Sequence, residues 1–217
     1  MAKRPIFIPT CLGSGVVLTE NIEFTWYPGM SIIQKQKSIR SLHDAARNTL
    51  GLQRVLEISS KSENLIGYKL SAFNLSTTTP DGHITTVESL FQGSKVFKNG
   101  GPYLDIYFSS SHEAKKDSRL ITSGELICFC LGDYNWPLEP KTAFYDWIYI
   151  NALLNNVPLS KDILRYDGFT DIEFNPEKSI NCQAFSAALY KALTEKNLIN
   201  DALTSPDNFI MIHKKYV

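Results

Sequence analysis

Asp81 to Phe97 (DGHITTVESLFQGSKVF) carries the clearest helix signal in the chain, and the fold is read outward from it. Thr85-Thr86-Val87-Glu88 fits the Ser/Thr-x-x-Glu capping box, which satisfies N–H groups that a helix start leaves open. The helix is expected to run to about Phe97 and to stop before Asn99-Gly100-Gly101-Pro102, a cluster of turn formers. At about 100° per residue, Val87, Leu90, Phe91, Ser94 and Phe97 gather on one side. Glu88, Gln92 and Lys95 gather on another, so a carboxylate, an amide and an ammonium share a stripe. The plain account is that Glu88 completes the cap and the stripe is solvated. The functional account is that the stripe faces a ligand.

Toward the N-terminus, Arg54 to Ser59 (RVLEIS) reads as a strand, and Ser59 to Pro80 as loop with brief extended pieces. Ser31 can cap a helix through about Leu50, with Ile39, Leu42 and Ala46 as its apolar stripe and Gly51 as its stop. The first thirty residues alternate short apolar runs with Gly and Pro, which suggests short strands and turns. Toward the C-terminus a second helix is expected from Ser111, followed by a short strand at Leu126 to Leu131 (LICFCL). Pro140 to Leu154 is helical, with Phe144, Trp147, Ile148 and Ile150 on a wide apolar face. Ser179 can cap a last long helix through Lys196. The expected class is a predominantly helical α+β chain with a few short strands.

With 217 residues, 43% of them hydrophobic, one substantial core is possible. Lysine plus arginine and aspartate plus glutamate number 22 each, so a nucleic-acid surface would have to be local. No apolar stretch approaches the ~20 residues that span a bilayer, and no signal-peptide run follows the start, so a cytoplasmic protein without membrane contact is expected. Cys11, Cys128, Cys130 and Cys182 form no Cys-x-x-Cys pair, and the four histidines stand far apart. Buried free thiols and no metal site are the expectation.

Several polar residues interrupt foldable stretches. Ser60 and Lys61 follow a strand, a common place for functional side chains, though a solvated loop lysine is the plain account. Asp171 and Glu173, two apart in FTDIEFNP, can share acid–base work or simply face water. Asn181 can brace the start of a helix. Trp136, beside a proline, can stack on a base or pack in the core. Lys35, Lys37, Arg40 and Arg47 on the early helix can meet a nucleic-acid backbone or form a solvated face.

The order LEISSKS, LSAFNL, DGHITTVESLFQGSKVF, HEAKKDSR and then a tryptophan resembles the NADAR domain family from about Leu56 to Ala192. That family shows a Leu-Ser-Asn-Phe motif and a Thr-x-Glu-His-x-x-Gln-x-x-Lys-Phe helix. Here Glu88, Gln92, Lys95 and Phe97 fall in step, while Ser89 stands for the usual histidine and Ala72 for the usual asparagine. The resemblance implies a compact orthogonal helical domain over residues 51–217, with residues 1–50 as an N-terminal extension packed on it. It implies hydrolysis of an N-glycosidic bond to ribose, needing no cofactor. One family activity removes ADP-ribose from guanine in nucleic acid, as antitoxin to a DarT-type ADP-ribosyltransferase, and this chain looks more like that branch. On this reading the partners are ADP-ribosylated DNA or RNA as substrate and a toxin as functional pair. The alternatives are cleavage of small ribosylamino nucleotides of riboflavin synthesis, and a module that binds ADP-ribose without cutting it. Glu88 is expected in an acid–base role and Lys61 as nucleophile, since a neutral amine can attack an anomeric carbon. Ser60, Phe73, Asn74, Gln92, Lys95, Arg119, Trp136, Asp171, Glu173 and Asn181 are the expected substrate-binding residues.

Overall fold

The computed structural model describes residues 1–11, 15–177 and 179–217. Strands β1 (Ala2–Pro9) and β2 (Val17–Phe24) form an antiparallel hairpin, and α1 (Ile32–Leu50) follows it. The Ser31 hydroxyl accepts from the Gln34 N–H, and Gly51 ends α1 with a positive φ of 70°. Next come β3 (Val55–Glu57), α2 (Leu65–Lys69), β4 (Ser76–Thr78) and β5 (Ile84–Thr86). The segment expected as loop with brief extended pieces holds the short strand β4 and, in addition, the helix α2. Asn64 caps α2 by accepting from the Ile66 N–H, and packing holds it close: a Cβ at Gly67 would lie 1.9 Å from the Glu57 carbonyl oxygen.

Helix α3 (Val87–Gly93) is shorter than its pattern suggests, because Lys95–Phe97 becomes β6. That strand pairs antiparallel with β7 (Leu126–Leu131), which also pairs with β8 (Tyr134–Trp136). Between them lie α4 (Ser111–Lys116) and α5 (Arg119–Thr122). The remainder is α6 (Ala143–Asn155), α7 (Val157–Asp162), β9 (Gly168–Thr170), α8 (Gln183–Glu195), α9 (Ile199–Ala202) and α10 (Pro206–Tyr216). Helix α8 begins after Cys182 rather than at Ser179, and it is not the last.

The expectation of a predominantly helical chain needs correcting. The chain is a mixed α+β structure in which β1 and β2, eight residues each, build one edge of a four-stranded sheet ordered β2-β1-β9-β3. Pro5 and Pro9 argued for shorter strands, since proline cannot donate to a ladder. The hairpin nonetheless pairs from Ala2↔Phe24 to Pro9↔Val17. β9 is antiparallel to β1 and parallel to β3, so residues 1–50 share a sheet with the later chain.

Two apolar clusters result. Ile39, Leu42 and Ala46 of α1 pack on Ile6, Ile22 and Phe24 of the hairpin. The larger cluster surrounds α6, whose Phe144, Tyr149, Ile150 and Leu153 are at most 1% exposed. Trp136 lies in this core, 1% exposed, 5.6 Å from Phe144 and 5.3 Å from Trp147 by ring centroids.

Helix α3 is held against this core closely. A Cβ at Gly93 would meet two Tyr107 ring carbons at 2.6 Å and the Tyr103 carbonyl oxygen at 3.0 Å. Gly93→Ala is therefore expected to destabilise the protein by about 1–3 kcal/mol, because neither neighbour is a free side-chain end. An unchanged thermal melt would show that the ring can step aside.

Candidate active site

The start of α3 is set one residue later than the capping pattern suggests. Thr86, not Thr85, is the N-cap, and its hydroxyl accepts from the Ser89 N–H. Thr85 belongs to β5 and donates instead to the Tyr107 carbonyl at 2.7 Å. Glu88 is consequently not spent on a capping box. It is 6% exposed, and Gln92 one turn on donates to its Oε1 at 2.9 Å. Backbone bonds from Val87 N–H to the Leu75 carbonyl and from Glu88 N–H to the Ala72 carbonyl fix the helix start.

Glu88 opens into a cleft of about 570 Å³. This is a size ordinary for small-molecule sites. Ser60 and Lys61 line it from the loop after β3, Phe73 from the loop after α2, and Glu88 and Gln92 from α3. Asp171 and Glu173 line it from the turn after β9, and Asn181 from the approach to α8. The two residues expected at the centre of the chemistry, Lys61 and Glu88, therefore share one cavity.

Other expected residues fall elsewhere. Lys95 leaves the Glu88 stripe with the end of the helix. Its Nζ sits 4.8 Å over the Phe91 ring, and burial, then the nearby Lys115, lower its pKa against the pull of Glu88. Arg119 is committed to Asp105 and Asp117, with bonds of 2.6 and 2.7 Å, and lies 4.4 Å over Tyr103. Asn74 is used locally, donating to the Tyr68 carbonyl and Ser71 hydroxyl. Trp136 is core. On α1, Arg40 pairs with Glu63, Arg47 with Asp44 and Lys35 with Glu173, so much of that basic stripe is already matched.

The cleft also contains residues that the sequence did not point to. Gln183 is the chief of these. Its Nε2 donates to the Ile58 carbonyl at 2.7 Å and to Asp171 Oδ2 at 2.9 Å, while its Oε1 accepts from the Ala72 N–H at 2.7 Å. One amide thus ties together the strand that leads to Lys61, the segment that anchors Glu88, and Asp171. No local pattern marks such a residue. Tyr145 lines the inner wall from α6, and burial holds its phenol protonated far above the ordinary range. His112 and Lys115 line the outer side, both exposed, with Lys115 Nζ 5.2 Å over the Phe73 ring.

Two carboxyls of the cleft, Glu88 and Asp171, are buried, while Glu173, His112 and Lys115 are exposed along its outer side. Burial, then repulsion from nearby Glu57, pushes Asp171 up to about 8. Among the described residues, Gln92 Oε1 and Asn181 Oδ1 are buried carbonyl oxygens without a partner. A buried acceptor left open costs about 1–3 kcal/mol, so each is suited to a ligand hydroxyl or N–H. No group of three or more metal-binding side chains is gathered among the described residues.

The chain is thus an α+β domain that frames a cleft with buried carboxyls and open amide acceptors. Comparison with family models places it further. The model for the DarT1-associated NADAR antitoxins (NADAR-DarT1) matches residues 2–217, and the chain belongs to that family. The match begins at the first strand. No curated protein matches the sequence. Among the described residues, no helix is long and apolar enough to cross a membrane.

Proposed function

We propose that this protein removes ADP-ribose from guanine in nucleic acid by hydrolysing the N-glycosidic bond, thereby reversing the modification made by its paired toxin. The observation that carries the reading is the meeting of Lys61 and Glu88 in one cleft beside the open acceptors Gln92 Oε1 and Asn181 Oδ1. Breaking a C–N glycosidic bond develops positive charge at the anomeric carbon while the base needs a proton. The inner carboxyl of Glu88 suits the first need. The amine of Lys61 suits capture of C1′ as a covalent adduct that water then opens. Hydroxyls of the ribose satisfy the open acceptors, and the Lys115 ammonium at the rim faces the diphosphate, with the His112 imidazole beside it as a hydrogen-bonding group.

Ser89, where the family more often has histidine, does not favour a purely binding role. It is fully buried and donates to the Ser109 carbonyl at 3.0 Å, outside the cleft lining. The exchange leaves the groups that line the cleft in place.

The test incubates the protein with guanine-ADP-ribosylated DNA and, in parallel, with a ribosylamino nucleotide. Release of ADP-ribose from DNA is expected, with a rate that falls as salt rises. Release from the small nucleotide alone would replace the reading with a small-molecule N-glycosidase. Binding of ADP-ribose without any product would replace it with a reader.

A further inference from the structure

Glu57 is the residue that the cleft chemistry leaves unused. It ends β3 in parallel register with Thr170, so Asp171 is the first residue after the opposing strand. The Glu57 carboxyl is 2% exposed and grips both neighbours of Asp171. Thr170 Oγ1 donates to its Oε2 at 2.6 Å and the Ile172 N–H to its Oε1 at 2.8 Å. The Ser59 hydroxyl is a third partner, and Ser59 in turn accepts from the Lys61 N–H at 3.2 Å. Behind Thr170 stands His43 of α1, with Nε2 2.9 Å from its hydroxyl. Because Thr170 donates to Glu57, His43 must donate to Thr170, and burial holds the imidazole neutral, lowered to about 4.

Two buried carboxyls therefore sit side by side, one behind the cleft wall and one lining it. Among the described residues neither has an ion-pair partner: their donors are hydroxyls, an amide and backbone N–H groups. We propose that Glu57 and Asp171 together hold one proton at the inner end of the cleft, that Asp171 delivers it to the departing base, and that Glu57 acts as the positioning residue. This rests on the glycosidase reading above. As the C1′–N bond breaks, its electron pair and the Asp171 proton go to the guanine nitrogen while the Lys61 amine bonds to C1′. Water then gives its hydroxyl to C1′, Lys61 is released, and the second water proton restores the Asp171 carboxyl. Glu88 is left free to serve as base, so the two inner carboxyls take opposite duties.

Burial raises both groups; the Glu57 carboxylate raises Asp171 further, and the Glu173 carboxylate raises Glu57. The groups facing Asp171 are Glu57 from β3, Glu173 from its own turn and Cys182 ahead of α8, with Lys61 lining the same cleft. Tyr145 and Tyr149 face it from α6, with Glu88 of α3 on the same cleft.

The experiment measures kcat against pH for the full chain, Glu57→Gln and Asp171→Asn on guanine-ADP-ribosylated DNA. The parent should lose kcat above about pH 8, where Asp171 gives up its proton. Glu57→Gln removes the repulsion, so its alkaline limb should move to lower pH. At pH 8 its kcat should fall roughly tenfold with KM unchanged, and the loss should disappear at lower pH. An alkaline limb identical to the parent's would overturn the proposal. Carboxyl carbon NMR of the parent supplies a second reading should Glu57→Gln fail to fold. A signal titrating near 8 and missing from Asp171→Asn is expected, and its absence also overturns the proposal. That titration needs no turnover, so an inactive parent with a high-titrating Asp171 would sink the glycosidase reading separately.

Discussion

Lys61→Arg is expected to lower single-turnover release of ADP-ribose from DNA by about 10³-fold or more, with substrate affinity changed only a few-fold. The substitution keeps the positive charge, so attraction to the diphosphate survives. It removes the amine, and guanidinium stays protonated and is a poor nucleophile. Lys61 is half-buried, and its backbone is tied to Ser59, so the site cannot easily bring another amine to the same point. Lys115, the other lysine lining the cleft, is exposed at the rim. A borohydride trap should give a covalent sugar adduct with the parent and none with the variant. Turnover by Lys61→Arg at the parent rate would exclude the nucleophile role.

Glu88→Gln should cost about 10²–10⁴-fold in kcat while ADP-ribose binding persists. The amide has the shape of the carboxyl and can still accept from Gln92 Nε2, which holds Oε1 at 2.9 Å. Packing at the start of α3 is therefore retained, and the charge and the proton-accepting oxygen are what is lost. Calorimetry with ADP-ribose separates the outcomes. Lost binding together with lost turnover would make Glu88 a ligand anchor instead of a proton-transfer group.

How far the sequence reached can be followed through α1 and α3. Both ends of α1 were legible because Ser31 and Gly51 are local signals, a side-chain cap and a left-handed stop. The existence of α3 was equally legible, but its frame was not. The competition between Thr85 and Thr86 is decided by β5, whose pairing of Thr86 with Ser76 lies outside any helix rule. The C-terminal end was misjudged for the same kind of reason. Lys95 to Phe97 keeps helical spacing, yet β7 captures it. That capture is also why Lys95 departs from the stripe that Glu88 and Gln92 still share.

The site shows the same division. Lys61, Glu88, Gln92, Asp171, Glu173 and Asn181 were readable from motif position or from polarity within a foldable stretch. Gln183 was not, since its three bonds run to segments remote in sequence. Glu57 left a trace that went unread: an acidic residue inside the apolar run Val55 to Ile58 must find buried donors. Ser205-Pro206 was a further unread signal. It is a cap and a proline in the first turn of α10, where the Ser205 hydroxyl accepts from the Asn208 N–H.

The Gln183 amide has a consequence for biosynthesis. Chain growth delivers Lys61 and Glu88 early, but the clamp joining their two segments emerges only with the start of α8. Until then β3 also lacks β9, its parallel neighbour in the sheet. A ribosome-bound fragment ending before residue 183 has Lys61 and Glu88 but lacks the amide that joins their segments, so the cleft is completed only after most of the polypeptide has been translated.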